Sequence, residues 1–453
     1  MGGLVVLGVL ARCLIGAIGL FATAAHAAEP VDIAIGYLGR AGVPQTLSPL
    51  DQPAPDDGVA GARLAIEDNN TTGKFLNQRF TLIDRRVKDD EDAAQAANEL
   101  AGKTGFILAD LPADTLLKVA DALRGRGTTL LNVGSTDDRL RAQDCRANVL
   151  HVAPTRSMLA DGLAQYLVWK QWKRWLLVTG SHDNDKLFAD ALRRAATRFG
   201  AKIVEERSFE DTGGARRTDS GVTLIQRQMP VFTQKAPAYD VLVAADESEV
   251  FANYLPYRTW DPRPVAGSAG LRPTSWDPAQ DQWGATQLQN RFMKLASRRM
   301  DALDMQAWMA VRMVGEAASR TNSGDAKAMA DYLKGPNFTI AAFKGTRLSL
   351  RDWNLQLRQP ILLADGRMIE LTDRTQPREL REAVLHSVCT RFTTVLGPDS
   401  DWYHEDHIHL DLAERRSNYR ICQWDVLDPL PQIAPLMPAV RPDGAPPRET
   451  AEG

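Results

Sequence analysis

The chain has 453 residues, too many for one hydrophobic core, so two or three domains are expected. It is 44% hydrophobic and 25% charged with a net charge of -3, which gives no basic field for nucleic acid. Mean hydropathy is -0.28, and no apolar run after residue 30 is long enough to span a bilayer.

Residues 1–28 carry one Arg, an apolar stretch from Leu14 to Phe21 and then Ala-Thr-Ala-Ala-His-Ala-Ala. That order predicts a secretory signal peptide cut near Ala27 or Ala28, with Glu29-Pro30 opening the mature chain in the periplasm. Cys13 lies before the small-residue site, which argues against a lipid anchor.

Val31–Leu38 reads as a buried strand and Val59–Asn69 as a helix with an apolar face, ended at Gly73. Phe80–Asp84 is the next strand, then a helix over Asp92–Gly102, a strand over Gly105–Ala109, a helix over Ala113–Arg124 and a strand over Thr128–Val133. The alternation resumes with helix Met158–Lys170, strand Arg174–Thr179, helix Leu187–Phe199 and strand Lys202–Glu206. Strand Asp240–Ala245, a short helix from Val250, strand Pro264–Ser268 and a long helix over Met305–Arg320 come next. Near-continuous apolar strands separated by helices define parallel βαβ units covered on both faces. There are too many units for one doubly wound sheet, so the predicted class is α/β with two such lobes. Lobe 1 takes 29–151 and 263–344, and lobe 2 takes 152–262 and 345–367, with crossings near Val152, Trp260 and Lys344.

Ligands of doubly wound sheets sit beyond the carboxyl ends of the strands. In lobe 1 these loops hold Tyr37, Asp110, Leu111, Asn132, Ser135 and Thr136. Backbone N–H groups at a following helix N-terminus would favour a carboxylate there, while Asp137 and Asp138 could instead cap that helix. In lobe 2 the loops hold His182, Asp183, Asp246, Glu247 and Gly270. Asp246 would suit a ligand amine or would cap a helix, in equal measure. Trp169, Trp172 and Trp175 read as core packing rather than ligand stacking. No dinucleotide fingerprint, P-loop or Gly-x-Ser-x-Gly is present, so neither a nucleotide cofactor nor a covalent nucleophile is expected.

Gly61-Ala-Arg-Leu-Ala-Ile-Glu-Asp-Asn-Asn-Thr-Thr-Gly73, followed by the Phe80 strand and Asp89, resembles the first helix of the branched-chain amino-acid-binding family of type I periplasmic solute-binding proteins. Lys173 to Gly180 with Arg198 to Val204 resembles the opening of that family's second lobe, and Arg347 to Leu363 its closing hairpin. The likeness covers 30 to 367 and is nearest to the branch associated with alcohol dehydrogenases that use pyrroloquinoline quinone. It implies a monomeric, non-enzymatic substrate-binding component that closes on a small ligand and delivers it to the membrane permease of an ABC transporter. Where the family usually has an acidic residue and Tyr-Gly, this chain has Ser181 to Phe188, so the ligand is not expected to be a simple aliphatic amino acid.

Beyond Gly366, a charged helix over Arg378–Leu385 leads to Cys389, then Tyr403-His-Glu-Asp-His-Ile-His-Leu-Asp411 and Cys422. Cys389 and Cys422 share this segment and are the expected disulfide, leaving Cys145 as a buried thiol. His407 and His409 share a strand face and could bind zinc, with His404 and Asp411 nearby. The segment over 368–424 resembles the last part of the extensin-like C-terminal domain, itself similar to zinc D-Ala-D-Ala carboxypeptidases. In that family the second His of His-x-His is a ligand and the first assists the oxyanion, which implies those roles for His409 and His407. The family's upstream ligands, a Ser-x-His-x-x-Gly stretch ending in Asp, have no counterpart here. No cofactor is therefore required, zinc remains an option at this segment, and peptidoglycan hydrolysis is a weaker alternative. A second alternative is a periplasmic accessory of the quinone-dependent alcohol dehydrogenase system. Residues 425–453 are Pro-rich and expected to be disordered.

Overall fold

A computed structural model describes residues 30–41, 54–88, 91–211, 219–365, 378–397, 400, 408–411 and 420–424. The chain forms two compact units. Among the described residues the first holds 30–41, 55–88, 91–155 and 282–360, and the second holds 54, 156–211, 219–281, 361–365 and the C-terminal segments. The proposed signal peptide, His404, His407 and the tail lie outside the described residues.

The first unit begins with β1 (Val31–Arg40), α1 (Val59–Leu76), β2 (Gln78–Val87), α2 (Glu91–Ala101), β3 (Phe106–Asp110), α3 (Ala113–Ala122), β4 (Thr129–Asn132) and β5 (Val149–His151). The five strands form one parallel sheet in the order β2-β1-β3-β4-β5. Ile35, Leu38, Ile107, Leu108, Leu130 and Leu131 are fully buried, as expected for strands covered on both faces.

α1 runs past Gly73 to Leu76, where Asn77 takes the left-handed conformation and its N–H reaches the Gly73 carbonyl. Gly73 is needed for close approach instead: a Cβ there would come within 2.5 Å of the Gln78 carbonyl oxygen. The expected stop at Gly73 was therefore three residues early.

The second unit continues with α4 (Arg156–Trp169), β6 (Arg174–Gly180), α5 (Asp183–Phe199), β7 (Lys202–Phe209), α6 (Asp219–Thr233), β8 (Val241–Ala245), α7 (Leu255–Arg258), β9 (Val265–Gly267) and β10 (Leu271–Thr274). The chain then returns to the first unit as α8 (Ala285–Ala296), α9 (Ala302–Thr321), α10 (Ala326–Lys334), β11 (Ile340–Ala341), β12 (Arg347–Leu350) and β13 (Leu357–Arg358). β14 (Leu362–Asp365) completes the second unit's six-stranded sheet, ordered β14-β10-β9-β8-β6-β7 and antiparallel only at β14.

After residue 55 the crossings lie at 155/156, 281/282 and 360/361. Two of these differ from the expected crossings near Trp260 and Lys344. β9 pairs with β8 and β10 with β9, which holds 263–281 in the second unit, and β12 with β13 keeps 345–360 in the first. The Asp219–Thr233 helix was not anticipated, since Pro230 sits inside it and breaks the expected pattern.

Helix α9 is the spine of the first unit, with thirteen buried residues packed chiefly on α1. Gly61 makes that packing possible: a Cβ there would lie 1.9 Å from the Asp304 carbonyl oxygen. In the second unit Trp175 is buried and donates from Nε1 to the Trp172 carbonyl at 2.8 Å. Trp169, by contrast, is 70% exposed with the Lys170 amine over its ring, so the packing expectation fails at this position.

The C-terminal segment forms α11 (Arg378–Arg391) and a sheet of β15 (Thr394–Leu396), β16 (His409–Asp411) and β17 (Ile421–Gln423), ordered β16-β15-β17. Cys389 and Cys422 are bonded, tying α11 to β17. Cys145 is exposed, not buried as expected.

Candidate functional site

In the first unit the carboxyl ends of β1, β3 and β4 bring Tyr37, Asp110 and the 133–136 turn together. Parallel register fixes this, since β3 ends with Asp110 beside Gly39 and β4 ends with Asn132 beside Ala109. Tyr37 is fully buried and its Oη donates to Asp110 Oδ2 at 3.2 Å. Burial, aided by the nearby Asp110 charge, pushes the Tyr37 phenol well up. Burial also raises Asp110, against the opposing pull of the Tyr37 hydrogen bond and the Arg86 and Arg40 charges. Arg86 lies over the Tyr37 ring, 4.8 Å from its centroid, and binds Asp84 and the carbonyls of Arg40 and Asp57.

Other expected ligand residues of this unit serve the fold. Leu111 is packed into the hydrophobic core. Asn132 closes the turn: its Nδ2 donates to the Ser135 carbonyl at 2.8 Å, and its Oδ1 accepts the Ser135 N–H at 2.9 Å. Thr136 leads into a four-residue 3-10 turn over Asp138–Arg141, capped by the Asp137 side chain. The expected anion-binding helix N-terminus is thus replaced by a capped turn, and the capping alternative for Asp137 holds. Sequence reasoning missed Arg141, whose buried guanidinium binds Gln356 Oε1 and the carbonyls of Ser135, Asp137 and Ala153. It also passed over His151, a buried ring joined through Nδ1 to Asn132 and held neutral by burial and the Arg141 charge.

In the second unit Asp246 is 1% exposed and accepts the backbone N–H groups of Val250, Phe251 and Ala252 at 2.7–2.9 Å. Burial raises its pKa, and these amides offset part of the rise. Of the two roles weighed for Asp246, capping is the one observed. Glu247 is bound by Arg156, with Nε at 3.0 Å and Nη2 at 2.7 Å, while the same Nη2 donates to Asn184 Oδ1 at 3.2 Å. Arg156 was not identified from sequence, because an Arg at a helix start gives no pattern that separates it from a surface residue. Asp185, in the strand-end loop expected over His182 to Asp185, accepts the His182 N–H at 3.2 Å and the Ser248 N–H at 2.9 Å. His182 precedes α5 and its Nε2 lies 2.8 Å from Asp211 Oδ2. Asp183 is exposed, 3.4 Å from the Lys186 amine. Gly270 has φ 63°, and a Cβ there would lie 2.2 Å from the Val265 carbonyl oxygen, so it is a turn glycine.

Among the described residues, Asp57, Asp301 and Asp304 form a carboxylate group whose oxygens lie within 4.8 Å of one another. Burial is the leading cause that pushes Asp57 up to about 6 and Asp301 and Asp304 each to about 7. Arg298 binds Asp304 and, at 3.2 Å, Asp56, while Asp304 Oδ1 accepts the Gly58 and Gly61 amides at 3.0 and 3.3 Å. These contacts make the cluster a junction between α1 and α9. Of the expected metal residues, His407 and the His409 side chain lie outside the described residues.

Residues 40–218 match the family model described as periplasmic binding protein, and residues 359–423 match the one described as extensin-like protein C-terminus. The fold is the α/β, parallel-sheet architecture of the type I periplasmic binding proteins. The chain is similar to a branched chain amino acid ABC transporter periplasmic ligand-binding protein from Burkholderia xenovorans LB400, at 18% identity over 75% of this chain and 91% of that one, with TM-score 0.60. It is similar to an ABC transporter substrate-binding protein from Sphaerobacter thermophilus, at 16% identity over 75% and 94%, with TM-score 0.61. It is also similar to a solute-binding protein of an ABC transporter from R. palustris in complex with benzoate, at 12% identity over 75% and 94%, with TM-score 0.56. No curated protein matches the chain. No described helix is long and apolar enough to cross a membrane.

Proposed function

We propose that this protein is the periplasmic substrate-binding component of an ABC-type transporter. It captures a small polar organic ligand by lobe closure and passes it to the membrane permease. The main support is the doubly wound fold shared with solute-binding proteins over three-quarters of the chain. Polar residues gathered at strand carboxyl ends, Asp110 and Tyr37 foremost, add to it. The role is binding, not catalysis.

A thermal-shift screen of amino acids, aromatic acids, alcohols and short carboxylates, with and without zinc, tests the reading. A true ligand at a hundredfold over its Kd adds about 2.7 kcal/mol of stability and raises Tm by roughly 5–10 °C. No shift with any of them would refute it and favour the accessory role beside a quinone-dependent alcohol dehydrogenase.

The match of residues 359–423 favours a second reading, a zinc-dependent peptidoglycan hydrolase carried by the C-terminal segment. That reading requires zinc near one equivalent and its loss in His409→Ala. A metal-free protein would end it.

A further inference from the structure

We propose that Lys344 is a protonation-operated latch on the chain crossings: its neutral amine holds the crossing segments together at their first-unit ends, and a proton on that amine loosens them. The inference goes beyond the binding role and stands whatever the ligand.

The crossings at 155/156, 281/282 and 360/361 each have an end in the first unit, and these ends meet around one side chain. The Lys344 amine donates to Gln359 Oε1 at 2.6 Å, and Gln359 Nε2 in turn donates to the Val152 carbonyl at 2.8 Å. Gln356, fully buried, binds the carbonyls on either side of Val152, those of His151 at 3.2 Å and Ala153 at 3.1 Å. The remaining crossing is reached through Gly345, which lies against Trp283: a Cβ on Gly345 would come within 2.6 Å of that ring. Phe343, Gly345 and Trp283 have φ of 53°, 71° and 54°, a left-handed conformation that bulky residues avoid. Such backbone persists only where its surroundings enforce it, and here it encloses an amine that is 2% exposed.

Burial alone brings that amine from 10.5 down to about 7. The charged groups on the surrounding elements are turned elsewhere. Arg347 donates to Thr339 Oγ1, Arg358 lies over the Trp353 ring, Arg141 binds Gln356 Oε1, and Arg312 on α9 lies over the Trp308 ring. Asp281 is exposed, and His151 is buried and neutral.

Solvation gives the direction of the effect. A neutral amine suits the buried position and still donates to Gln359. An ammonium needs water, and water reaches it when the Gln359 contact and the segments it ties give way. Opening therefore takes up a proton. It becomes more favourable as pH falls from 10.5 to about 7, by at most about tenfold per pH unit, and is level below that. Movement of one unit against the other has to be absorbed at the crossings, so the latch sets how readily they yield.

Hydrogen-exchange mass spectrometry of the full-length protein between pH 7.5 and 9, beside Lys344→Met, tests the proposal. Relative to the variant, the natural protein should lose about tenfold of its protection between pH 9 and pH 8 in peptides over 149–155 and 355–360, with no such loss in β3. Protection that follows the same pH course in both proteins overturns the proposal. So does a loss shared equally by β3, because Lys344 would then act on the stability of the whole unit and not on its crossings. If Lys344→Met does not fold, the natural protein decides alone, with each peptide corrected for its intrinsic exchange rate. A loss confined to the two crossing peptides supports the latch, and a uniform or absent loss overturns it.

Discussion

Replacing Lys344 with Met should stabilise the first unit at pH 6 and destabilise it at pH 10. Lys344 is 2% exposed, and its amine donates to Gln359 Oε1 at 2.6 Å. Burial alone depresses its pKa from 10.5 to about 7. The folded state therefore holds its proton less tightly than the unfolded chain. Between about pH 7 and 10.5 the unfolded state binds more protons, so the lysine's contribution to stability rises with pH in that window. Below about pH 7 both states are protonated and the whole penalty of a buried ammonium is felt. The difference of 3.5 between 10.5 and about 7, at 1.36 kcal/mol per pH unit, sets that penalty at about 5 kcal/mol. Met removes it but leaves Gln359 Oε1 without this donor, which costs about 1–3 kcal/mol. The net expectation is a gain of about 2–4 kcal/mol at pH 6, turning into a loss of up to about 2 kcal/mol at pH 10, where the natural lysine is neutral in the fold and only about 1 kcal/mol of the penalty remains. Urea unfolding of both proteins, followed by circular dichroism from pH 6 to 10, measures the difference; carboxyl effects common to both cancel. A difference that does not change with pH would refute the reasoning.

Three further outcomes rest on the same geometry. Asp301 and Asp304 titrate near 7 in the fold against about 4 when unfolded, so their effect on stability is most favourable below pH 4 and is lost as pH rises to about 7. Asp301→Asn, which keeps a good helix cap, should raise Tm at pH 8 and change it little at pH 4, as differential scanning fluorimetry would show. Gly61→Ala should force α1 away from the Asp304 carbonyl and lower stability by about 3 kcal/mol, read as a lower urea midpoint at unchanged slope. Asp246→Ala leaves three backbone amides without their acceptor and should cost about 3 kcal/mol or more, whereas Asp246→Asn, which keeps one acceptor oxygen, should cost less; urea unfolding of the two variants side by side gives the order.

The two-lobed architecture was legible because it is written in periods that burial enforces. Ile33, Ile35 and Leu38, Ile107 and Leu108, and Val241 to Ala245 are apolar on both faces, and only a sheet covered by helices on each side buries such runs. The crossings were less legible because sheet membership is a long-range fact. Val265–Gly267 reads as a strand from its residues, but nothing in three apolar positions says that its partner is β8. α6 escaped for a local reason, Pro230, and the end of α1 was misplaced because Gly73 permits close packing rather than ending the helix.

The candidate site divides along the same line. Periodicity placed Asp110 and Asn132 at the ends of β3 and β4 and Asp246 just after β8, but β1 runs on to Arg40, so Tyr37 lies three residues inside a strand expected to end at Leu38. The role of a side chain there depends on which donors reach it. Asp110 and Asp246 each close a buried strand, yet the chain after β8 turns back and delivers three amides to Asp246, while the chain after β3 goes straight into α3 behind Pro112. α3 carries the amides of Asp114, Thr115 and Leu116 away along its own axis, and Asp110 instead accepts from the Tyr37 hydroxyl. The same residue type at the same topological position thus caps a loop in one unit and anchors the Tyr37 hydroxyl in the other, and the path of the chain after the strand makes the difference.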